Sequence, residues 1–269
     1  MKGDVIMKIF GRGGVVISGS QSVSIVNGSI FVNGKKIENG ANTTTTKKID
    51  EEKTLDFGST KRISIFSSTA NINVIYGKRS DVKIKLYGEF EANDQYTAEI
   101  LTSMQSSNLE IKTDKGTLTC FSGELTLDVF IPESFDGEIN SRTNSGDLSV
   151  QSLKLDCVDF ESQSGDLRLH INELNALETQ LQSGDVKLTC QSCSRINVST
   201  MSGNVKVRCD RFKRARVKTM SGDIEFKTIE ASVEASAMSG DIDNEFRKST
   251  SNNIATLSTM SGDISAERI

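Results

Sequence analysis

Seven acidic or amide side chains recur at a near-constant interval, and a row of that kind is the first place to look for chemistry. Asp147, Asp166, Asp185, Asn204, Asp223, Asp241 and Asp263 follow Gly146, Gly165, Gly184, Gly203, Gly222, Gly240 and Gly262 in the tripeptide Ser-Gly-Asp or Ser-Gly-Asn. Stacked carboxylates could gather divalent cations, since hard cations take oxygen ligands. At strand spacing, about 4.8 Å, neighbouring carboxylates repel by roughly 1 kcal/mol in water, so backbone donors, solvent or cations must offset the row. The plainer expectation is that each Asp accepts N–H bonds at a corner where glycine takes a positive φ, a role open to Asn204 as well. Calcium-binding β-rolls repeat on a nonapeptide richer in glycine and acid, so no metal or other cofactor is expected.

A second constellation is cationic. Lys206, Arg208, Arg211, Lys213, Arg214, Arg216 and Lys218 place seven positive charges in thirteen residues. If alternate residues point outward, they form a girdle around one turn of chain, joined by Arg168, Lys187 and Lys227. Such a band could hold phosphate, nucleic acid or an acidic partner. The only aromatic residue within it, Phe212, points inward, so no aromatic platform accompanies the cations, and Glu225, Asp243, Glu245 and Glu267 follow on the same face. A protein partner is favoured over nucleic acid, and a merely solvated face is the bland reading.

Three further groups offer less. Met201, Met220, Met238 and Met260 precede Ser-Gly where earlier corners carry Asn144, Gln163 and Gln182. Methionines in a row could make a soft partner-binding strip; the plainer expectation is packing against a local loop or the next corner. Cys190 and Cys193 have CxxC spacing, with Cys209 one repeat further on. A zinc or redox site would need thiolates facing solvent and a fourth ligand. Inward cysteines are ordinary small core residues, and the single histidine, His170, points outward. One histidine excludes most catalytic triads, and Gly11-Arg-Gly-Gly14 lacks the Lys and Ser or Thr of a phosphate loop. No catalytic residue is assigned.

The elements that position these groups follow from the interval itself. Successive corner glycines are 19, 19, 19, 19, 18 and 22 residues apart, which is the signature of stacked coils. The second residue after each glycine is always aliphatic: Leu148, Leu167, Val186, Val205, Ile224, Ile242 and Ile264. The seventh before it reads Ile139, Val158, Leu177, Ile196, Ala215, Val233 and Ala255. Alternation on both sides of the corner means two strands per coil, inward residues stacking on those of the next coil. Coils stacked in chain order at about 4.8 Å predict a solenoid about 30 Å long.

Ahead of the regular coils, residues 54–138 contain strand-like runs with a blurred repeat, read as early irregular coils of one domain spanning 54–269, with regular coils over 139–269. Residues 1–38 are glycine-rich. Asn27-Gly28 predicts a tight hairpin between Val23–Val26 and Ser29–Val32, and Asn33-Gly34 a second tight turn after it. Residues 39–53, with Thr43 to Thr46 in a row and mixed charge, read as an exposed linker. The fold class is all-β: a β-solenoid of ~19-residue coils behind a glycine-rich hairpin region.

The formal charge of −4 and pI near 5.3 give no field strong enough to predict nucleic acid or anionic membrane as a general partner. No apolar run suits a leader or a membrane span. Five cysteines, an odd number in a long chain, suit a reducing compartment, so a cytoplasmic location is expected, or the surface if the natural start has been trimmed.

The Ser-Gly-Asp coils, preceded by the apolar strand Leu125-Thr-Leu-Asp-Val-Phe-Ile-Pro132, resemble the adhesin-like β-strand-repeat family, a domain of unknown function usually labelled a candidate adhesin. The resemblance covers Leu55 to Ile269. It implies a right-handed β-helix-like domain and carries over no catalytic residue. The expected function is a non-catalytic binding or scaffold module with protein partners. Its rivals are a polymer-forming β-helix of the bactofilin type, disfavoured by the polar Ser265, Glu267 and Arg268 on the last coil, and a carbohydrate-active β-helix enzyme.

Overall fold

The computed structural model describes residues 44–246 and 249–269 and, by backbone alone, five short strands ahead of them. Strands β1 (Met7–Ile9) and β2 (Val15–Ile17) pair antiparallel. Strands β3 (Val23–Val26), β4 (Ser29–Val32) and β5 (Lys35–Ile37) form an antiparallel meander, with Val23 opposite Val32 and Ile30 opposite Ile37. The Asn-Gly turns between them lie outside the described residues.

The remaining strands form one sheet that coils on itself: β6 (Thr44–Asp56), β7 (Arg62–Ser67), β8 (Asn71–Gly77), β9 (Asp81–Asn93), β10 (Tyr96–Gln105), β11 (Asn108–Gly116), β12 (Phe121–Pro132), β13 (Glu138–Thr143), β14 (Leu148–Ser164), β15 (Leu167–Ser183), β16 (Val186–Ser202), β17 (Val205–Ser221), β18 (Ile224–Thr228), β19 (Ser232–Ser239), β20 (Ile242–Asn244), β21 (Ile254–Ser261) and β22 (Ile264–Arg268). No described element is a helix, so none is long and apolar enough to cross a membrane.

Each regular coil runs up an approach face, turns at Ser-Gly-Asp and leaves along a departure face. β14, β15, β16 and β17 pair in parallel at a constant register of nineteen residues, so that Leu148, Leu167, Val186 and Val205 lie rung upon rung. All four are fully buried, as are Val158, Leu177, Ile196 and Ala215 opposite them. A single coil could not cover this row; parallel stacking covers it and satisfies the backbone together.

The early segment joins the same stack. β7 pairs in parallel with β13, and β8 with β14, making residues 62–77 a coil directly beneath the first Ser-Gly-Asp corner. β11 and β12 form another coil beneath that one. Two antiparallel elements then finish the lower end: β10 on β11, and β9 followed by β6 on β12.

Two expectations need correction. Of the residues expected to form a linker, 39–43 lie outside the described residues, and 44–53 instead belong to the outermost strand β6, paired along its whole length with β9. Its half-exposed alternation with Lys47, Lys48, Asp50, Glu51, Glu52 and Lys53 reads as solvated chain, yet it is what an edge strand needs to resist pairing with another molecule. The coils also do not stack in chain order at the upper end. β21 and β22 lie against β17 and β18, while β19 and β20 sit outside them. Ile254–Arg268 is therefore an inserted layer, and the exposed upper coil belongs to Ser232–Asn244 rather than to Ser265, Glu267 and Arg268.

Candidate binding surface

At the corner the acidic row is consumed by the backbone. Asp147 Oδ1 accepts the Asp166 N–H at 2.9 Å, Asp166 Oδ1 that of Asp185 at 2.9 Å, and Asp185 Oδ1 that of Asn204 at 2.7 Å. Asn204 Oδ1 accepts from Asp223, Asp223 from Asp263, and Asp263 from Asp241. The ladder follows the spatial order of the coils. Below it, Asn71 Oδ1 accepts the Asp147 N–H, so this asparagine is an eighth rung that the tripeptide pattern alone does not reveal. Arg168 bridges the outer oxygens of Asp147 and Asp166 at 2.7 Å each. Among the described residues no three histidine, cysteine or acidic side chains converge to hold a metal ion.

The glycines have a steric reason to be there. A Cβ on Gly203 would sit 2.0 Å from the carbonyl oxygen of Gly184, and its φ of +147° disfavours any side chain. Corners this close let the backbone of one coil bond to the next.

The basic girdle sorts into two sets. Lys206 and Lys227 both reach Glu225, and Lys227 also reaches Glu267, so these cations are neutralised on the departure face. Hydrogen bonds from Lys227 and Lys206 hold the Glu225 carboxyl below its usual range. Arg208, Arg211, Lys213, Arg214, Arg216 and Lys218 are all exposed and make no ion pair with any described residue. Arg214, Arg216 and Lys218 occupy successive outward positions of β17 on the approach face, with Met220 next in line.

The methionines are not packed away as expected. They form one column in the spatial order Met201, Met220, Met260, Met238, exposed by 54%, 45%, 47% and 79%. Their position is the last outward one before the corner, where nothing overlies it among the described residues. The cysteines do point inward. Cys190 and Cys209 are adjacent rungs, and Cys193 lies beside Phe212. The Cys209 thiol and burial push Cys190 well above the ordinary thiol range, and burial takes Cys193 up to about 12. Such thiols are neither nucleophiles nor ready metal ligands at neutral pH.

A family model described as Toastrack, DUF4097, matches residues 60–268. The chain belongs to the Toastrack family. Among solved structures, a candidate adhesin from Bacteroides fragilis aligns with a TM-score of 0.54 at 17% identity, over 83% of this chain and 98% of its own. A candidate cell adhesion protein from Clostridium sporogenes gives 0.43 at 12% identity, over 83% and 100%. A candidate lipid-binding protein from Parabacteroides distasonis gives 0.44 at 14% identity, over 84% and 98%. Identities this low concern the fold alone. No curated protein matches the chain.

The Toastrack fold brings together most of the predicted surface residues and separates others. The corner Asp row becomes structural, Lys206 is paired off, and the other six cations of the patch stay available on one coil. Glu225 can be placed on the same face from the sequence, but that it neutralises both Lys206 and Lys227 shows only once the coils are stacked. Sequence reasoning missed the approach-face groove beneath the methionines. That groove is lined by Phe66, Asp114, Arg142 and Glu161 among others. Its carboxylates are engaged: Glu161 pairs with Arg142 at 2.9 Å, and Asp114 accepts the Ser68 N–H and the Tyr96 hydroxyl at 2.6 Å each.

Proposed function

We propose that this Toastrack chain is a non-catalytic binding module that holds an acidic protein partner along β17. The observation that carries the reading is the run of six exposed, unpaired cations on one coil, ending at Met220 on the approach face. A partner that lays carboxylates opposite Arg214, Arg216 and Lys218 meets them at alternate-residue spacing, and apolar side chains beyond them would rest on the methionine column. An extended acidic segment fits because the outward positions of a strand recur every two residues. Catalysis has no support in the groove carboxylates, each of which is committed to a cation or to hydrogen-bond donors. We place the protein in a reducing compartment, a reading that rests on its five free thiols; recovery of the native protein in an extracellular fraction would refute it.

The test compares the wild-type chain with the triple variant Arg208→Glu, Arg214→Glu, Arg216→Glu in capture from the native cell, followed by mass spectrometry. A protein retained by the wild type and lost by the variant, whose binding to the purified chain weakens with salt, supports the proposal. Equal retention by both chains defeats it.

A further inference from the structure

The lower half of the approach face holds a groove that the acidic partner leaves unused. Its volume is about 590 Å³. Two columns of outward side chains line it. One runs Phe66, Arg142, Glu161, Gln180 from coil to coil, and the other runs Asn144, Gln163, Gln182 just before the corner. Both run along the stack, so a ligand lying lengthwise meets comparable groups about every 4.8 Å.

Several polar columns of this solenoid spend their hydrogen bonds within the stack. The corner Asp row bonds to the next backbone, Asn175 donates to Asp156, and Asn197 donates to Glu178. The side-chain amides of Asn144, Gln163, Gln180 and Gln182 are different: all are exposed, and none bonds to a described residue. Each amide offers two donors and an acceptor with two lone pairs. Paired donors and acceptors on a neutral group suit vicinal hydroxyls, which also give and accept. Arg142 and Glu161 cancel each other, and the remaining carboxylate, Asp114, is taken up by the Ser68 N–H and the Tyr96 hydroxyl. Phe66 supplies an apolar wall at the lower end, with the Lys112 ammonium 5.5 Å from its ring centroid.

We propose that this groove binds a linear, neutral oligosaccharide laid along the stack axis, with one sugar ring to each coil. The amide columns take the hydroxyls, and Phe66 takes the C–H face of a terminal ring. The coil rise suits this orientation, since an extended β-linked chain advances by a similar distance per sugar. The site is separate from the β17 cations, which begin at Lys218, one coil above Ser199.

The experiment uses the full chain and three soluble linear tetrasaccharides, cellotetraose, chitotetraose and β-1,4-mannotetraose, followed by saturation-transfer NMR and calorimetry. At least one should bind in the millimolar range or tighter. Gln163→Ala and Gln182→Ala should each weaken it by about tenfold, the loss expected for one or two hydrogen bonds. Both residues are exposed, so melting temperature should be unaltered and serves as the folding control. The triple charge reversal on β17 should leave sugar binding intact, which keeps this outcome distinct from that of the acidic-partner test. No binding of any of the three at millimolar concentration, or binding that survives the Gln163→Ala, Gln182→Ala double substitution, overturns the proposal.

Discussion

Asn204 stands where six other corners carry aspartate, and its amide oxygen makes the same bond to the next N–H as the carboxylates do. Replacing it by Asp should keep that bond and add a charge between Asp185 and Asp223. The cost should be about 1 kcal/mol for each new neighbour at low salt and should shrink as salt screens it; urea midpoints at two ionic strengths measure this. Gly203→Ala should be far more damaging, by about 3 kcal/mol or more, because a methyl would strike the carbonyl oxygen of Gly184 at 2.0 Å. The thiols of Cys193 and Cys157 give a pH dependence of definite sign. Cys193 is raised to about 12 and Cys157 to about 11, so their protonated forms favour the fold. That contribution is complete below the unfolded thiol pKa and is lost as pH climbs towards the folded values. The urea midpoint should therefore fall from about pH 9 up to about pH 11 to 12, and Cys193→Ala should flatten the fall; a slope unchanged by that substitution would count against it.

At the scale of elements, β6 illustrates why some of this fold could be read in advance and some could not. The inward columns were legible because a nineteen-residue period places an aliphatic residue at the same offset in every coil, from Leu148 to Ile264. β6 offers only Ile49 and Leu55 at its inward positions, with charges around them, so composition alone reads it as solvent-exposed linker. Its pairing is supplied by β9, which lies beyond β7 and β8 in the chain. A chain beginning at Phe57 would uncover the whole of β9, a thirteen-residue strand with buried Val82, Ile84 and Leu86. Such a chain should self-associate, seen as concentration-dependent growth in light scattering, whereas the full chain should not. The cationic patch was legible as composition, but which cations remain unpaired depends on acids brought in from neighbouring coils. The groove amides were visible as corner residues, and only the stacking shows that they share one wall.

For the whole molecule, the two ends of the solenoid are finished differently. The lower end closes with antiparallel strands and a charged edge, while the upper end exposes the narrow coil of β19 and β20, with only Val233, Ala235, Ala237 and Ile242 turned towards the core. End-to-end polymerisation would have to join that short edge to the charged β6 edge. Sedimentation should accordingly return a monomer across a wide concentration range, and a ladder of higher species would revive the filament rival. The order of the upper coils could not be read from the repeat, since Gly240 and Gly262 sit in the same Ser-Gly-Asp tripeptide and either could lie next to Gly222.

That inversion bears on how the protein is made. During synthesis the outer cover leaves the ribosome before the layer it must cover, so Ser232–Asn244 has no seat until Ile254–Arg268 arrives and slides beneath it. A nascent chain can wind its earlier coils as they appear, but the cover over Ile254–Arg268 can close only after that later segment has emerged, so the upper coils must form out of the order in which they are made.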